Sequence, residues 1–260
     1  MRIEPRRIVS RASITLLSIA ILIFAWAGFS RMFGIPDLVP SPWQTFAVGR
    51  EMLLNGTLMT HVAISLERVL VRYIAGCIAG IVIGALMGRI PLIGRLADPM
   101  LQLVRPISPV ALVPLSIIWF GIGDLSKYFI IFYAVVIIMI ISTAAGVTST
   151  PMIRLNAARC LGASPWQMLR RVVLPSAVPS ILTGMRVALG FAFMGIVAAE
   201  LIAAQSGIGY LIMQSRTLLR TDIMFVGLVT LGILGALLDG CFKVAVDRTM
   251  RRYMEHQVNV

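Results

Sequence analysis

Charged residues are scarce in this sequence: only 13% of its 260 residues are Asp, Glu, Lys or Arg, whereas 58% are hydrophobic. The mean hydropathy is correspondingly high, at +0.92. This composition is typical of an integral membrane protein, and it leaves room for about six helical crossings at roughly 20 apolar residues each. We therefore expect one integral membrane domain.

Lysine is nearly absent, and Lys127 and Lys243 are the only two in the chain. Ser126 and Phe242 precede them, so neither lysine can belong to the Gly-Lys-Ser/Thr ending of a phosphate-binding loop. We therefore expect no cofactor in this chain. If ATP drives its activity, the energy must come from another chain.

Histidine and cysteine are also rare. The two histidines, His61 and His256, belong to no metal-binding or Ser/His pattern, and no apolar run carries paired carboxylates. These absences argue against an intramembrane enzyme and against a metal site. Cys77, Cys160 and Cys241 form neither a disulfide framework nor a metal spacing.

Six long apolar runs are continuous rather than alternating, which favours helices over the strands of a transmembrane barrel. Their ranges are 12–30, 62–88, 100–120, 127–147, 176–202 and 223–246. The sequence thus predicts an all-α, polytopic membrane protein with about six transmembrane helices. The first run follows several arginines and contains Ala25, Trp26 and Ala27, so a cleaved signal peptide is an alternative for that run.

Basic residues give the chain a net charge of +12, but they are spread over many loops, which fits membrane orientation better than nucleic-acid binding. If the amino terminus is cytoplasmic, the inner segments hold Arg2, Arg6, Arg7, Arg11, Arg89, Arg95, Arg154, Arg159, Arg170, Arg171, Arg248, Arg251 and Arg252. The outer segments then hold only Arg31, Arg50, Lys127, Arg216 and Arg220. This bias predicts that both termini are cytoplasmic.

Span two carries glycines at every fourth position: Gly76, Gly80, Gly84 and Gly88. Such a stripe lets another helix approach closely. Packing within the chain is the favoured explanation, and a subunit interface is the alternative.

Span three contains Pro106, Pro109 and Pro114, which remove backbone donors that lipid cannot replace. This helix should therefore be kinked and shielded by protein. A broken helix beside a substrate path and a merely bent packing helix both fit the pattern.

A polar, basic island at residues 162–175 separates spans four and five. Ser164 and Gln167 have the spacing of a capping box, with Pro165 at the first helical position, so a short helix should begin here. Residues 156–161 can form another short helix that ends at Gly162, a residue suited to a left-handed cap. The same tetrapeptide, Ser-Pro-Trp-Gln, occurs at 41–44 and predicts a short amphipathic helix on the outside.

The island has the spacing Ala157, Ala158, three residues, Gly162, nine residues, then 172–175. It resembles the EAA loop of ABC importer permeases, the cytoplasmic element that docks into an ATPase subunit. The family's leading acid is Asn156 here, which puts in question any ion pair from that position. The resemblance implies coupling residues within 154–175, namely Asn156, Ala157, Ala158, Gly162, Ser164, Trp166, Leu169, Arg170 and Pro175.

Segments 65–76, 105–127, 174–190 and 198–212 are similar to type I, MetI-like permeases of the nitrate, sulfonate and taurine branch. The resemblance implies a permease subunit, not an enzyme, of an ATP-driven importer in the bacterial inner membrane, carrying a small anion such as an aliphatic sulfonate, taurine or nitrate. The implied partners are an ABC ATPase dimer holding ATP and magnesium, a second permease copy in a homodimer, an extracytoplasmic solute-binding protein and membrane lipid, with no nucleic acid.

An ion-coupled secondary transporter is the alternative. It should carry carboxylates at the membrane midplane, whereas the acids here lie mostly near span ends.

Charged residues within the predicted spans are candidate site residues, because they are costly in lipid. Glu200 and the three prolines of span three mark a possible translocation path, although a structural role is favoured for Glu200, in a pair with an arginine such as Arg186 or Arg216 or at the level of the lipid headgroups. Arg105 and Arg186 could attract an anion, or could lie beside lipid headgroups at the cytoplasmic surface. Glu67, Arg68 and Arg72 have the spacing of pairs on one helix face.

These features divide the chain into three parts. Residues 1–60 hold the amino-terminal tail, the first span and the external helix. Residues 61–246 hold the permease core with its coupling loop at 154–175, and residues 247–260 form a basic cytoplasmic tail.

Overall fold

Helices make up all the regular secondary structure of the described residues, which are 5–33 and 38–258 of a computed structural model. Residues 1–4, 34–37 and 259–260, parts of the predicted first and last segments, lie outside the described residues. The helices are α1 (Pro5–Phe33), α2 (Pro42–Leu54), α3 (Thr57–Arg89), α4 (Pro91–Val104), α5 (Val113–Phe120), α6 (Asp124–Thr148), α7 (Met152–Cys160), α8 (Pro165–Met168), α9 (Leu174–Ala203), α10 (Ile208–Thr217) and α11 (Thr221–Val258). The predicted all-α class is confirmed.

Four of the described helical stretches are long and apolar enough to cross a membrane. They are α3, α6, the continuous stretch Pro165–Ile202 and Thr221–Arg248 of α11. The pair α4 and Pro109–Phe120, which is bent by 83°, makes a fifth if the two helices form one broken span and not a re-entrant loop. The predicted first span corresponds to α1, whose apolar part, Leu16–Met32, is shorter than the others. The protein is thus polytopic, with four or five candidate spans in the described residues rather than the predicted six.

Helix α6 lies between α3 and α9, and glycine permits the close contacts on both of its sides. The whole glycine stripe of α3 faces α6; at Gly84, an added Cβ would lie 2.6 Å from the carbonyl oxygen of Ile140. On the opposite side, a Cβ at Gly146 of α6 would lie 2.8 Å from the Cβ of Ser180 in α9. The prediction that the stripe serves packing within the chain is confirmed, and α3, α6 and α9 form a tightly packed core.

The chain direction places two sets of connections at opposite ends of this core. One end, which we call the α10 end, carries the starts of α3, α6 and α11, the end of α9, and helices α2 and α10. The other, the α7 end, carries the ends of α3 and α6 together with α7 and α8. The predicted external helix and the predicted coupling loop therefore lie at opposite ends of the bundle.

The α3–α6 contact can be tested with a single methyl group. We expect Gly84→Ala to lower the free energy of unfolding by about 1–3 kcal/mol, because the new Cβ meets backbone atoms of α6 that cannot rotate away. The measurement is the thermal unfolding midpoint in detergent. Gly232→Ala in α11 is the matched control, since nothing lies within 4 Å of its added Cβ. Equal midpoints for the two variants would contradict the close packing.

Candidate coupling loop and translocation path

Helix α7 ends in the turn that the sequence predicts. Gly162 has a left-handed conformation, with φ +75°. Its N–H donates to the carbonyl oxygen of Arg159 at 2.9 Å, and the N–H of Ala163 donates to that of Ala158 at 3.0 Å. This pair of bonds is the Schellman arrangement, which satisfies carbonyl groups at the helix end. The turn therefore fixes the direction in which the chain leaves α7.

Helix α8 begins at the predicted capping box. The Ser164 side chain accepts from the N–H of Gln167, and the Gln167 side chain accepts from the N–H of Ser164 at 2.9 Å. The same reciprocal bonds form between Ser41 and Gln44 at the start of α2. The repeated tetrapeptide thus forms a capping box and starts a helix at both places. The protein thus builds one local structure twice, at opposite ends of the bundle.

The sequence predicts a separate short helix after Ser164, but in the structure this helix is not a separate element. After α8, a π-helical segment at Leu169–Val173 leads directly into α9, so helix runs without interruption from Pro165 to Ala203. The wider π turn accommodates Pro175, which has no N–H to donate and would crowd the carbonyl group four residues earlier in an α-helix. The predicted short helix of the island is therefore the first part of the helix that contains the apolar run 176–202. A force on α8 acts directly on a membrane-spanning helix.

One face of the island packs on the core and the other is exposed. Met168 and Val173 are buried in the main apolar cluster, and Leu169 is half-buried against it. Trp166, in contrast, leaves 67% of its surface exposed. Of the remaining predicted coupling residues, Ala158 is buried and Pro175 is half-buried. The others are exposed: Asn156, Ala157, Gly162, Ser164 and Arg170.

The exposed surface of the island is basic. Arg154, Arg159, Arg170 and Arg171 all reach the surface there, and the sequence has no Asp or Glu from 125 to 199. Arg154 is steadied by a hydrogen bond of 3.2 Å to the Ser176 hydroxyl. The loop thus presents a positive surface together with an exposed indole.

The predicted third span is broken, as its prolines suggest, but the prolines act as helix starters. Pro109 opens a short 3₁₀ turn and Pro114 lies in the first turn of α5, where a missing donor does no harm. The Tyr133 hydroxyl lies 3.0 Å from the carbonyl oxygen of Val104 and 3.3 Å from that of Ile107, so it caps the break. Pro106 is exposed at the break and Pro109 is half-buried. The shielding that the sequence predicts is therefore not supplied by the described part of this chain.

Two cavities lie beside the break. One, of about 780 Å³, lies between α4 and the ends of α3 and α6 and includes Arg95, Asp98 and Arg105. The other, of about 320 Å³, lies between the break, α6 and α9 and includes Arg105, Pro109 and Tyr133. This side of the chain is the structural candidate for a path.

Glu200 does not border these cavities. It is buried at the α10 end of α9, where 1% of its surface is exposed. The Ser65 hydroxyl lies 2.9 Å from both carboxylate oxygens, Arg68 Nη1 donates at 3.2 Å, and the N–H of Gly209 donates at 3.0 Å. The expected pairing with Arg186 or Arg216 was therefore wrong, because the partners come from α3. The structural role of Glu200 that the sequence favoured is the one its contacts support.

Arg68 extends this buried network to α6 and to the loop before α10. Its Nη2 lies 3.0 Å from Oδ1 of Asp124, to which Lys127 also donates at 3.1 Å. Its Nη1 donates to the carbonyl oxygen of Ser206 at 2.8 Å. Glycine is required beside the carboxylate, because a Cβ at Gly207 would collide with Glu200. Four segments of the chain are thus tied together at one ion-pair cluster, which is buried at Glu200 and Arg68 and half-exposed at Asp124.

The other predicted pairs were partly right. Arg72 lies 3.5 Å from Glu67 and stacks over the ring of Tyr128, whereas Arg68 leaves that helix face for the network just described. Arg186 donates two hydrogen bonds to the Asp239 carboxylate, at 2.7 and 2.6 Å, so its charge is paired within the chain and is not free to attract an anion.

The buried network predicts a strong dependence of stability on Glu200. We expect Glu200→Gln to lower the free energy of unfolding by about 3–5 kcal/mol, because it leaves Arg68 buried with one fewer countercharge. Thermal unfolding in detergent measures this change. Glu67→Gln, at an exposed pair on the same helix as Arg68, is the control and should cost less than about 1 kcal/mol. Similar losses for both variants would show that burial of the network is not what stabilises this end.

Residues 76–252 match the family described as the binding-protein-dependent transport system inner membrane component. The taurine transport system permease protein TauC of Escherichia coli K12 is 36% identical over 245 residues, which cover 92% of this chain and 89% of TauC. The putative aliphatic sulfonates transport permease protein SsuC of Bacillus subtilis is 33% identical, covering 91% of this chain and 86% of SsuC. The nitrate import permease protein NrtB of Synechococcus elongatus is also 33% identical, covering 84% of this chain and 82% of NrtB.

Among solved structures, an inward-facing MetNI methionine ABC transporter has a chain that matches with a TM-score of 0.62. The match covers 75% of this chain and 95% of that one, at 22% identity, and supports the fold alone. The sequence matches favour an ABC permease over the ion-coupled secondary transporter that the sequence left open. The chain therefore belongs to the family of binding-protein-dependent transport inner membrane components, as an ABC importer permease of the nitrate, sulfonate and taurine branch.

Proposed function

We propose that this permease imports a small anionic solute, such as an aliphatic sulfonate, taurine or nitrate, with energy from ATP bound with magnesium on a separate ATPase dimer. An external binding protein delivers the solute, and the chain itself holds no cofactor. Relatives named for taurine, aliphatic sulfonate and nitrate transport support this substrate class. The α7–α8 loop is the part of the chain that docks on the ATPase.

One observation carries this assignment: the exposed Trp166 lies on a helix that continues without a break into a membrane-spanning segment. Motion imposed on α8 from outside the bundle must therefore move α9. Because α9 packs closely on α6, and α6 on α3, the three helices would move as one body.

The charge of the loop indicates the chemistry of its docking partner. Its exposed arginines have no acid between 125 and 199 to neutralise them. A complementary ATPase surface would carry carboxylates around an apolar pocket for the indole of Trp166. Asn156 is exposed on α7 and supplies no charge of its own, so docking would rely on shape and on these arginines.

A second copy of the permease is the simplest cover for the broken span. The break at residues 105–108 is exposed on the single chain, and exposed irregular backbone is not tolerated in lipid. A homodimer would enclose the break and place the two cavities against their symmetry mates. The basic α7 end would face the cytoplasm of a bacterium, with the protein in the inner membrane and both termini inside.

The proposed function is tested by isolating the permease from native membranes. We expect an ABC ATPase and a solute-binding protein to co-purify or to be encoded beside it, and the reconstituted complex to import radiolabelled taurine, butanesulfonate or nitrate in an ATP-dependent manner. Uptake driven by an ion gradient, in vesicles that contain the permease alone, would refute the proposal.

Docking through Trp166 predicts an uncoupled variant. We expect Trp166→Ala to reduce ATP-driven uptake by at least about tenfold while the variant keeps its thermal unfolding midpoint, because the exposed indole contributes little to the core. ATPase activity and uptake are measured on the same reconstituted complex.

The chain provides a matched control for this experiment. Trp43 occupies the same position within an identical capping box at the opposite end of the bundle, and 79% of its surface is exposed. Trp43→Ala should leave the ratio of uptake to ATP hydrolysis unchanged. A normal ratio of uptake to ATP hydrolysis in Trp166→Ala, or an equal loss of this ratio in both variants, would contradict the assignment of the α7–α8 loop as the docking site.

A further inference from the structure

Arg105 lies at the break between α4 and the 3₁₀ turn that leads into α5, and it borders both of the cavities beside that break. The larger cavity extends from Arg105 toward Gly88 and Thr148, at the α7 end of the bundle. The smaller one extends from Arg105 to Tyr133 and Phe191. Arg105 and Ile141 are the two residues that line both cavities, so the cavities adjoin beside this guanidinium group.

The depth of Arg105 can be read from α6, which runs beside it. Helix α6 has 25 residues, so it is roughly 37 Å long. Tyr133 in the first half of α6 bonds the carbonyl oxygens of the break, and Ile141 in its second half lines both cavities with Arg105. The break thus lies level with the middle of α6. Arg105 is therefore near mid-height of the bundle and not at its cytoplasmic surface, which the sequence left as an alternative.

The Arg105 side chain makes no hydrogen bond or ion pair within the described part of the chain. Two other arginines of the spans, by contrast, are paired: Arg68 with Glu200 and Asp124, and Arg186 with Asp239. An unpaired charge at mid-span is costly in lipid, and such residues usually mark the route of a substrate or ion. The guanidinium group of Arg105 is thus a charge near mid-height for which the described part of the chain supplies no partner.

The smaller cavity has the chemistry of a site for a small anion. Arg105 is the only charged residue among the described residues that line it, and Tyr133 and Ser142 add hydroxyl groups to otherwise apolar walls. Its volume, about 320 Å³, is ample for a nitrate or a short sulfonate. A cation would meet unopposed positive charge, whereas an oxyanion would find a planar, forked donor suited to its oxygens.

We propose that Arg105 is the residue that recognises the oxyanion group of the solute at mid-membrane and excludes cations from the path. This inference deepens the proposed function and rests on it for the identity of the solute. A lipid phosphate has the same charge, but lipid headgroups lie at the membrane surfaces, away from the middle of α6.

The electrostatic part can be tested without transport. In the full transporter, with Cys77, Cys160 and Cys241 replaced, Val187→Cys places a thiol on the wall of the smaller cavity. Its rate of reaction is measured with an anionic reagent, the sulfonatoethyl methanethiosulfonate, and with the cationic trimethylammonioethyl analogue. Adding Arg105→Gln should lower the anion-to-cation rate ratio by about tenfold. Arg248→Gln, which removes the same charge at an exposed position, should leave the ratio unchanged.

An unchanged ratio in Arg105→Gln would overturn the proposal, whatever the transporter carries. Should that variant fail to fold, the intact arginine gives a second measurement: methanesulfonate should protect the thiol introduced by Val187→Cys from the anionic reagent, and tetramethylammonium should not. Equal protection by the two ions, or none, would also overturn the proposal. Because neither measurement uses ATP or the binding protein, its failure is distinct from failure of the proposed function.

The effect of Arg105 on transport is measured by uptake. In the reconstituted complex, we expect Arg105→Gln to reduce ATP-driven uptake of the transported anion by at least about tenfold, and Arg105→Lys to retain more of it because the charge remains. Basal ATP hydrolysis and the thermal midpoint should stay near those of the wild type, which separates recognition from a folding defect. Uptake in Arg105→Gln within about twofold of the wild type, a difference of less than about 0.5 kcal/mol, would refute the role of Arg105.

Discussion

The close contact of α3 and α9 with the two sides of α6 is the constraint on which the rest of the structure depends. Lipid tails are as favourable an environment for apolar side chains as a neighbouring helix is, so the hydrophobic effect cannot hold these helices together. Glycine removes the side chain where backbones meet: at Gly84, a methyl group would already meet the carbonyl oxygen of Ile140. The three helices are consequently one closely packed body, in which a shift of one helix is opposed by its neighbours.

The two ends of this body are built differently, and each construction suits its position. At the α10 end, Glu200, Ser65, Arg68 and Asp124 join α3, α6 and α9 to the loop before α10 through hydrogen bonds and ion pairs that are largely buried. At the α7 end, the loop between α6 and α9 is largely exposed, and its fixed points are the caps at Gly162 and Ser164. One end therefore resists separation of the helices, while the other is open to a partner.

Local signals in the sequence predicted local structure well, and they did not predict pairs formed across the fold. The capping boxes, the left-handed glycine and the glycine stripe each depend on residues within a few positions of one another, so spacing alone indicates them. The partners of Glu200 are 132 and 135 residues away in sequence, on a helix whose rotation is fixed only by packing. The continuity of α8 with α9 was missed for another reason: Pro175 is typical of a helix boundary, and only the π turn before it lets the helix continue.

The arrangement of charge separates residues that hold the fold from residues left free to act. The arginines that tie helices together, Arg68 and Arg186, have their carboxylates within 3.2 Å. Arg105 and the arginines of the α7–α8 loop have no ion pair within the described part of the chain, and for the loop the sequence supplies no acid from 125 to 199. An unpaired charge inside the membrane is costly unless a ligand or partner approaches it, whereas the exposed loop arginines are hydrated and remain available to an acidic partner. On this reasoning, the proposed anion site at Arg105 and the proposed docking loop are the two places where the chain would be completed from outside, and the closely packed core between them connects one to the other.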